Sequence, residues 1–463
     1  MSDQGMDPKG VLVRDAVEFA RNLNFSDLPR EVVEAAKTVI LDALGAMLAA
    51  SLPKYSAGKI LTQIVRELGG TEEATIIGQN LRSSCVNAVF VNGTLGYYCD
   101  IEAHHPEAVV HPAATIVPVC LALGEKQRAD GKALLLSFIL GTEFDCRVSS
   151  ALNPRILYDR GFHPSSIAGT IGAAVAAGRL LGLNTDEFQI ALGLAAQQTS
   201  GLLAWKEDFT ENARPFNHSI AARNGVTAAL LAARGFGGPP DIFQGIYNIF
   251  RAFSADGGSD PKQISLDLGN KYAVTELAFK KYSCCAFLHP GLDALFMIMD
   301  RHELGSVDIE SIVLHFAKNG TELIDGTELR SHSAQYILPV AAVNRKVMID
   351  DILYDQRSEP EIDRLMAHTK VVGNEELDAG YPERYSSIVE VTTKGGRTYS
   401  ERVDYAAGTP QNPFSREEII RKFFDLSSTA VDKAIAERIV QTVENIESLN
   451  DVNSLGLLLG GGR

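Results

Sequence analysis

The chain has 463 residues, 45% hydrophobic and 22% charged, the make-up of a soluble globular protein with a sizeable core and one large or two ordinary domains. A net charge of −15 argues against nucleic acid or an anionic membrane as the main partner, and six cysteines without paired spacing argue against a disulfide or zinc scaffold. Residues 1–10 show no leader pattern and no apolar run reaches the ~18 residues of a membrane span, so the cytoplasm is the expected setting.

From residue 11 to about 270 the periodicity is helical. It predicts a short helix over Ala16 to Leu23, then a longer one from Pro29 to Ala50 with Val32, Val33, Ala36, Val39, Ile40 and Leu44 on one face. Ala57 to Leu68 is amphipathic and stops at Gly69-Gly70. Between two apolar segments, Cys85 to Val91 and Thr115 to Leu123, five ionisable residues fall within twelve positions: Asp100, Glu102, His104, His105 and His111. Desolvating so many such groups is costly, and perturbed ionisable groups gather at functional sites. A solvated turn between helices is the plainer alternative.

Helical patterns continue over Leu134 to Arg147, Ser165 to Leu181, Thr185 to Leu203 and Ile220 to Arg234. The segment from Ser166 to Arg179 has little side-chain bulk, which permits close backbone approach between packed helices. His163 stands at the start of that helix, where free amides and the dipole favour an anion. Arg214, in Arg214-Pro-Phe-Asn217-His218, suits a two-pronged grip on a carboxylate.

Past about 270 the character changes to mixed α and β. Lys280-Lys281-Tyr282 precedes the adjacent Cys284 and Cys285, which are read as buried or pocket-lining; one lysine can face a cleft while the other is solvated. Helices are predicted over Pro290 to Asp300 and Glu359 to His368. Ser311 to Phe316 alternates as a strand, Lys346 to Ile349 is a weaker strand candidate, and Ser387 to Val403 forms a hairpin turning at Gly395-Gly396. Tyr336 fits either a proton carrier or a core aromatic. Ser415 and Glu418 make a capping box, Ser428 to Ser448 holds one or two further helices, and the Gly-rich tail from Leu455 is expected to fray. The fold class is therefore mainly α: helical sequence over 1–272 and 409–463 around an α+β unit at 273–408.

No phosphate loop, dinucleotide fingerprint, His-Glu-x-x-His or nucleophile elbow occurs, and the histidine spacing fits no standard metal template. What remains is acid/base work on an anion, with histidine, carboxylate and tyrosine moving protons and Arg or Lys holding carboxylates.

The order of Asp42-Ala-Leu-Gly-Ala, Phe90-Val-Asn-Gly-Thr, Asp100, His111-Pro112, Gly161-Phe-His163-Pro, Ala221-Ala-Arg-Asn-Gly225, Lys280-Lys-Tyr-Ser-Cys-Cys and Pro410-Gln-Asn-Pro-Phe-Ser resembles the MmgE/PrpD family over nearly the whole chain. The resemblance implies a helical domain built from both chain ends, an inserted α+β lid, a homodimer, and a domain-junction site without metal or organic cofactor. It implies Asp100, His104, His111, His163 and Tyr336 as catalytic and Arg214, Lys280 and Cys285 as substrate-binding. Three positions depart from the family pattern. The Asp-x-Asp-Asp-Thr-type run reads Asp100-Ile-Glu102-Ala103-His104, and Lys-Pro-Leu-His reads Arg214-Pro-Phe-Asn217 with His218 shifted by one. Cys285 stands where the family's cis-aconitate decarboxylases place a histidine, which argues against that activity. The expected function is a lyase on a small di- or tricarboxylate, with loss of water from a 2-methylcitrate-like acid ahead of an epimerase, isomerase or decarboxylase. A non-catalytic helical interaction protein is the rival from another class.

Overall fold

The computed structural model describes residues 11–254, 257–381 and 384–461. The N-terminal reading on residues 1–10 lies outside them. The fold is mainly α. Its first apolar core draws on helices from Val11–Asn22 through Ala213–Ala232 and, from the far end of the chain, on Arg416–Ser427, Lys433–Glu444 and Asn453–Leu459. A second core lies between residues 282 and 403.

The small-residue helix, Pro164–Leu181, lies between Gly131–Leu152 and Ala213–Ala232. A Cβ at Gly172 would come within 2.6 Å of the Gly141 carbonyl oxygen, and one at Gly225 within 2.7 Å of the Thr170 carbonyl oxygen. Only glycine permits those approaches, so the backbones carrying His163 and Arg214 are set side by side by absent bulk.

In the second core, four strands run in the order Thr369–Asn374, Ile309–Ala317, Ser387–Thr393, Thr398–Val403. The first two are parallel and the other neighbours antiparallel. Ile312, Leu314 and Phe316 point to one buried face, the period-2 pattern of a half-covered sheet, and His289–Arg301 packs on the last two strands.

Several expectations need correction. The first part is not purely helical: Ala74–Ile76 pairs with Leu81–Ser83. The helix before the ionisable cluster runs to Tyr98, and the one read over Thr185 to Leu203 ends at Ala196. Lys346 to Ile349 is no strand; Ile349–Leu353 is a short helix whose start Asp351 caps through the Met348 amide. The parallel strand Thr369–Asn374 was not foreseen. The Gly-rich tail does not fray over the described residues: Asn453–Leu459 is helical, Leu455 and Leu459 are buried, and the Asn80 amide donates to the Gly460 carbonyl at 2.6 Å. No helix among the described residues is long and apolar enough to cross a membrane.

Candidate active site

Three His-Pro pairs place imidazoles at helix starts. His111 and His163 are the N-caps of Pro112–Gln127 and Pro164–Leu181, and His289 opens His289–Arg301. Proline suits the first helical turn because its missing N–H would have no partner there. Neither N-cap imidazole caps its own helix, so both rings are free to turn elsewhere.

They turn to a cavity lined by, among others, Tyr97, Asp100, His104, His111, His163, Trp205, Lys280, Cys285 and His332. Asp100 follows the helix Cys85–Tyr98 with φ 49, in the left-handed region that Asp tolerates better than most residues. Its carboxylate pairs with Lys280, buried with it, and lies 3.3 Å from Arg214 Nη1. The second contact is an ion pair without hydrogen-bond alignment, since Nη1 has no hydrogen-bond partner. Burial alone would raise the Asp100 pKa, but Arg214 and Lys280 outweigh it and hold the carboxyl below its ordinary range. Lys280 is likewise kept charged, its burial overcome by Asp100 and Glu102.

Glu102 stands just behind this pair. Its Oε1 is 2.7 Å from His111 Nδ1 and 3.8 Å from Lys280 Nζ. Burial, assisted by the neighbouring Asp100 charge, pushes its pKa up to about 8 against the pull of Lys280. His111 Nε2 is 3.2 Å from the Tyr97 hydroxyl.

Burial disfavours the charged form of the cavity imidazoles. Burial, followed by the charge of Lys280, pushes His104 and His111 well below the usual imidazole range. Burial brings His163 and His332 down to about 3. The Trp205 ring sits between those two, 5.4 Å from His163 and 5.3 Å from His332. His163 Nδ1 is 3.4 Å from Ser166 Oγ. His104 Nδ1, His218 Nε2, Trp205 Nε1 and Asp100 Oδ2 are buried polar atoms that lack protein partners. Such groups are rare in folded proteins and mark places where a ligand can complete the bonding.

The structure thus gathers Asp100, His104, His111, His163, Lys280 and Cys285 around one cavity. Arg214 is fully buried behind them, its guanidinium 4.5 Å from the Tyr97 ring centre, so it touches Asp100 and Tyr97 rather than open space. Cys285 lines the cavity with a thiol that burial pushes up to about 12. Tyr336 lies elsewhere, in the second core; its hydroxyl donates to the Asp351 carbonyl at 2.7 Å and accepts from the Gln356 amide. His105 turns away too, its Nδ1 accepting from the Ala108 amide.

Tyr97, Trp205, Glu211 and His332 were not among the site residues expected from the sequence, where Tyr336 rather than His332 was chosen from the Ser331 to Tyr336 segment. Glu211 joins the two cores: it is paired with Arg214 at 3.3 Å and accepts from both the amide and the hydroxyl of Ser331. The one available signal was Trp205 itself, the chain's single tryptophan in a polar stretch.

The cavity's imidazoles, carboxylate and ammonium are groups able to move protons and hold an anion. The MmgE/PrpD N-terminal domain profile matches residues 14–262 and the C-terminal domain profile residues 282–448. The chain belongs to the MmgE/PrpD family. A cis-aconitate decarboxylase-like protein of Aspergillus oryzae is 26% identical, with 98% of each chain covered. Cis-aconitate decarboxylase of Aspergillus terreus is 24% identical over 97% of this chain and 96% of that one. The human enzyme of the same name is 26% identical over 95% and 92% respectively.

Proposed function

We propose that the protein is a lyase acting on a small di- or tricarboxylate, eliminating water from a hydroxy acid of the 2-methylcitrate type with these side chains as acid and base. The observation that carries the reading is the meeting of a buried Lys280–Asp100 pair with four neutral imidazoles, from His104, His111, His163 and His332, around one cavity. Lys280 binds a substrate carboxylate. His163, held neutral by burial, removes the proton beside a carboxylate, and the His111 side of the cavity protonates the departing hydroxyl. Positioning with general acid and base assistance supplies rate factors of ~10²–10⁴ for each proton transfer.

The test is alkene formation from 2-methylcitrate and related hydroxy acids, with wild type and His163→Asn. Turnover that falls by about 10²-fold or more in a folded variant supports the assignment. Wild-type-like turnover in the variant removes His163 from the scheme.

The names of the relatives favour a second reading, loss of CO₂ from an unsaturated tricarboxylate, in which the same cavity protonates carbon. Release of CO₂ from cis-aconitate with no reaction of the hydroxy acids would replace the first reading by this one.

A further inference from the structure

Glu102 has no place on the cavity wall, yet its carboxyl is bonded to a ring that does. Three groups lie in series: Glu102 Oε1 to His111 Nδ1 at 2.7 Å, then His111 Nε2 to the Tyr97 hydroxyl at 3.2 Å. Tyr97 and His111 line the cavity, whereas Glu102 is fully buried and its second oxygen has no partner. Resting on the lyase reading above, we infer that Glu102 is the proton store of the site, feeding its proton through His111 and Tyr97 to the oxygen that leaves the substrate.

The groups around the relay favour this arrangement. Lys280 at 3.8 Å and Arg214, beside Asp100, stabilise the carboxylate that Glu102 becomes when it gives up its proton. Asp100 opposes that ionisation and keeps the proton on Glu102 beforehand. His104, 5.5 Å from His111, and His218, 5.7 Å from it, are both neutral and add no cation against the ring. Tyr97 is held far from ionisation by burial and by Asp100, so it passes a proton on only as it receives one.

The step balances. His163 Nε2 takes the proton from carbon, and the C–H electron pair becomes the second bond of the alkene. The C–O bond breaks with its pair on oxygen. That oxygen takes the Tyr97 hydroxyl proton and leaves as water, Tyr97 takes the His111 Nε2 proton, and His111 Nδ1 takes the proton of Glu102. The protein ends with one proton more on His163 and one fewer on Glu102, and exchange with solvent restores both after the product departs. Glu102 touches no substrate; it is a positioning residue that also holds the proton, and Tyr97 is the group in contact.

Glu102→Gln keeps the size and a hydrogen-bonding partner for His111 but has no proton to release. Its kcat is expected to fall by ~10²–10⁴-fold, with KM within about threefold of wild type. Because the stored proton is required, wild-type kcat/KM should decline as pH rises through about 8, and that alkaline decline should be missing in Glu102→Gln. Tyr97→Phe should lose kcat similarly. A Glu102→Gln enzyme that folds normally and keeps more than a tenth of wild-type kcat, or keeps the alkaline decline, overturns the inference. An arm without turnover separates this from failure of the lyase reading. The ¹⁵N resonances of His111 in the free protein should report a tautomer change with a midpoint near 8, absent in Glu102→Gln. If no polycarboxylate is turned over, the lyase reading falls; if the His111 transition is missing from wild type, or persists in the variant, the proton store falls.

Discussion

Replacing Lys280 by methionine tests the electrostatics of the site most directly. Lys280 and Asp100 are each about 1% exposed and paired, with Glu102 3.8 Å from the same ammonium. At an effective dielectric constant of about 20, a unit pair about 4 Å apart attracts by ~4 kcal/mol, and the shorter Lys280–Asp100 contact is worth at least as much before desolvation is subtracted. Removing one member of a buried pair typically costs ~3–5 kcal/mol, because the other charge is left without a partner. Asp100 keeps Arg214 at 3.3 Å, so the expected loss sits at the low end, ~3 kcal/mol. Urea unfolding followed by circular dichroism measures it, with the slope checked for constancy. Adding Asp100→Asn removes the stranded charge as well, so the double variant should be less unstable than the sum of the two single variants by at least ~1 kcal/mol. Lys280→Met losing under ~1 kcal/mol, or strict additivity in the cycle, would refute the argument.

The depressed imidazoles have a pH signature. The ordinary value of 6.5 applies to the unfolded chain, and His163 and His332 in the folded protein lie at about 3, so the unfolded state binds more protons in between. Stability should therefore fall as pH drops from about 6.5 towards 4, and the ring resonances of both residues should stay unchanged between pH 5.5 and 8; a midpoint near 6.5 for either would contradict its burial. Cys285, pushed up to about 12, should react with iodoacetamide at pH 8 at least tenfold more slowly than an unperturbed thiol, and labelling at the rate of free cysteine would show a more open, polar setting. Tyr336→Phe should cost ~1–3 kcal/mol in unfolding free energy through the unmet Asp351 carbonyl and Gln356 amide, yet leave kcat within twofold. A hundredfold fall in kcat would return Tyr336 to the chemistry.

Much of the helical body was legible because its apolar residues recur at helical spacing and its caps are standard, as at Ser415 and Glu418. The hairpin turning at Gly395-Gly396 was legible from alternation and turn chemistry. Thr369–Asn374 was not: it is an edge strand with an exposed Val372 and takes its conformation from pairing with Ile309–Ala317. The tail misled because glycine composition says nothing of the docking surface that Leu455 and Leu459 find. At the site, ionisable density and the His-Pro pairs pointed to His111 and His163. Tyr97 lay just past the apolar segment read over Cys85 to Val91, and Trp205 and His332 reach the cavity only through tertiary packing, which no local spacing encodes. Family resemblance placed Tyr336 in the chemistry, whereas its hydroxyl is occupied by backbone groups of its own core.

Asp100 sits at φ 49, a backbone state open to Asp and Asn but unfavourable for alanine and worse for branched residues. An alanine scan would register two losses there at once, a vanished charge and a loop pushed from its resting shape, and Glu102 and His104 ride on that loop. Asn is the substitution that isolates the charge. Any library drawn across residues 99–105 will be filtered first by torsional tolerance and only afterwards by chemistry.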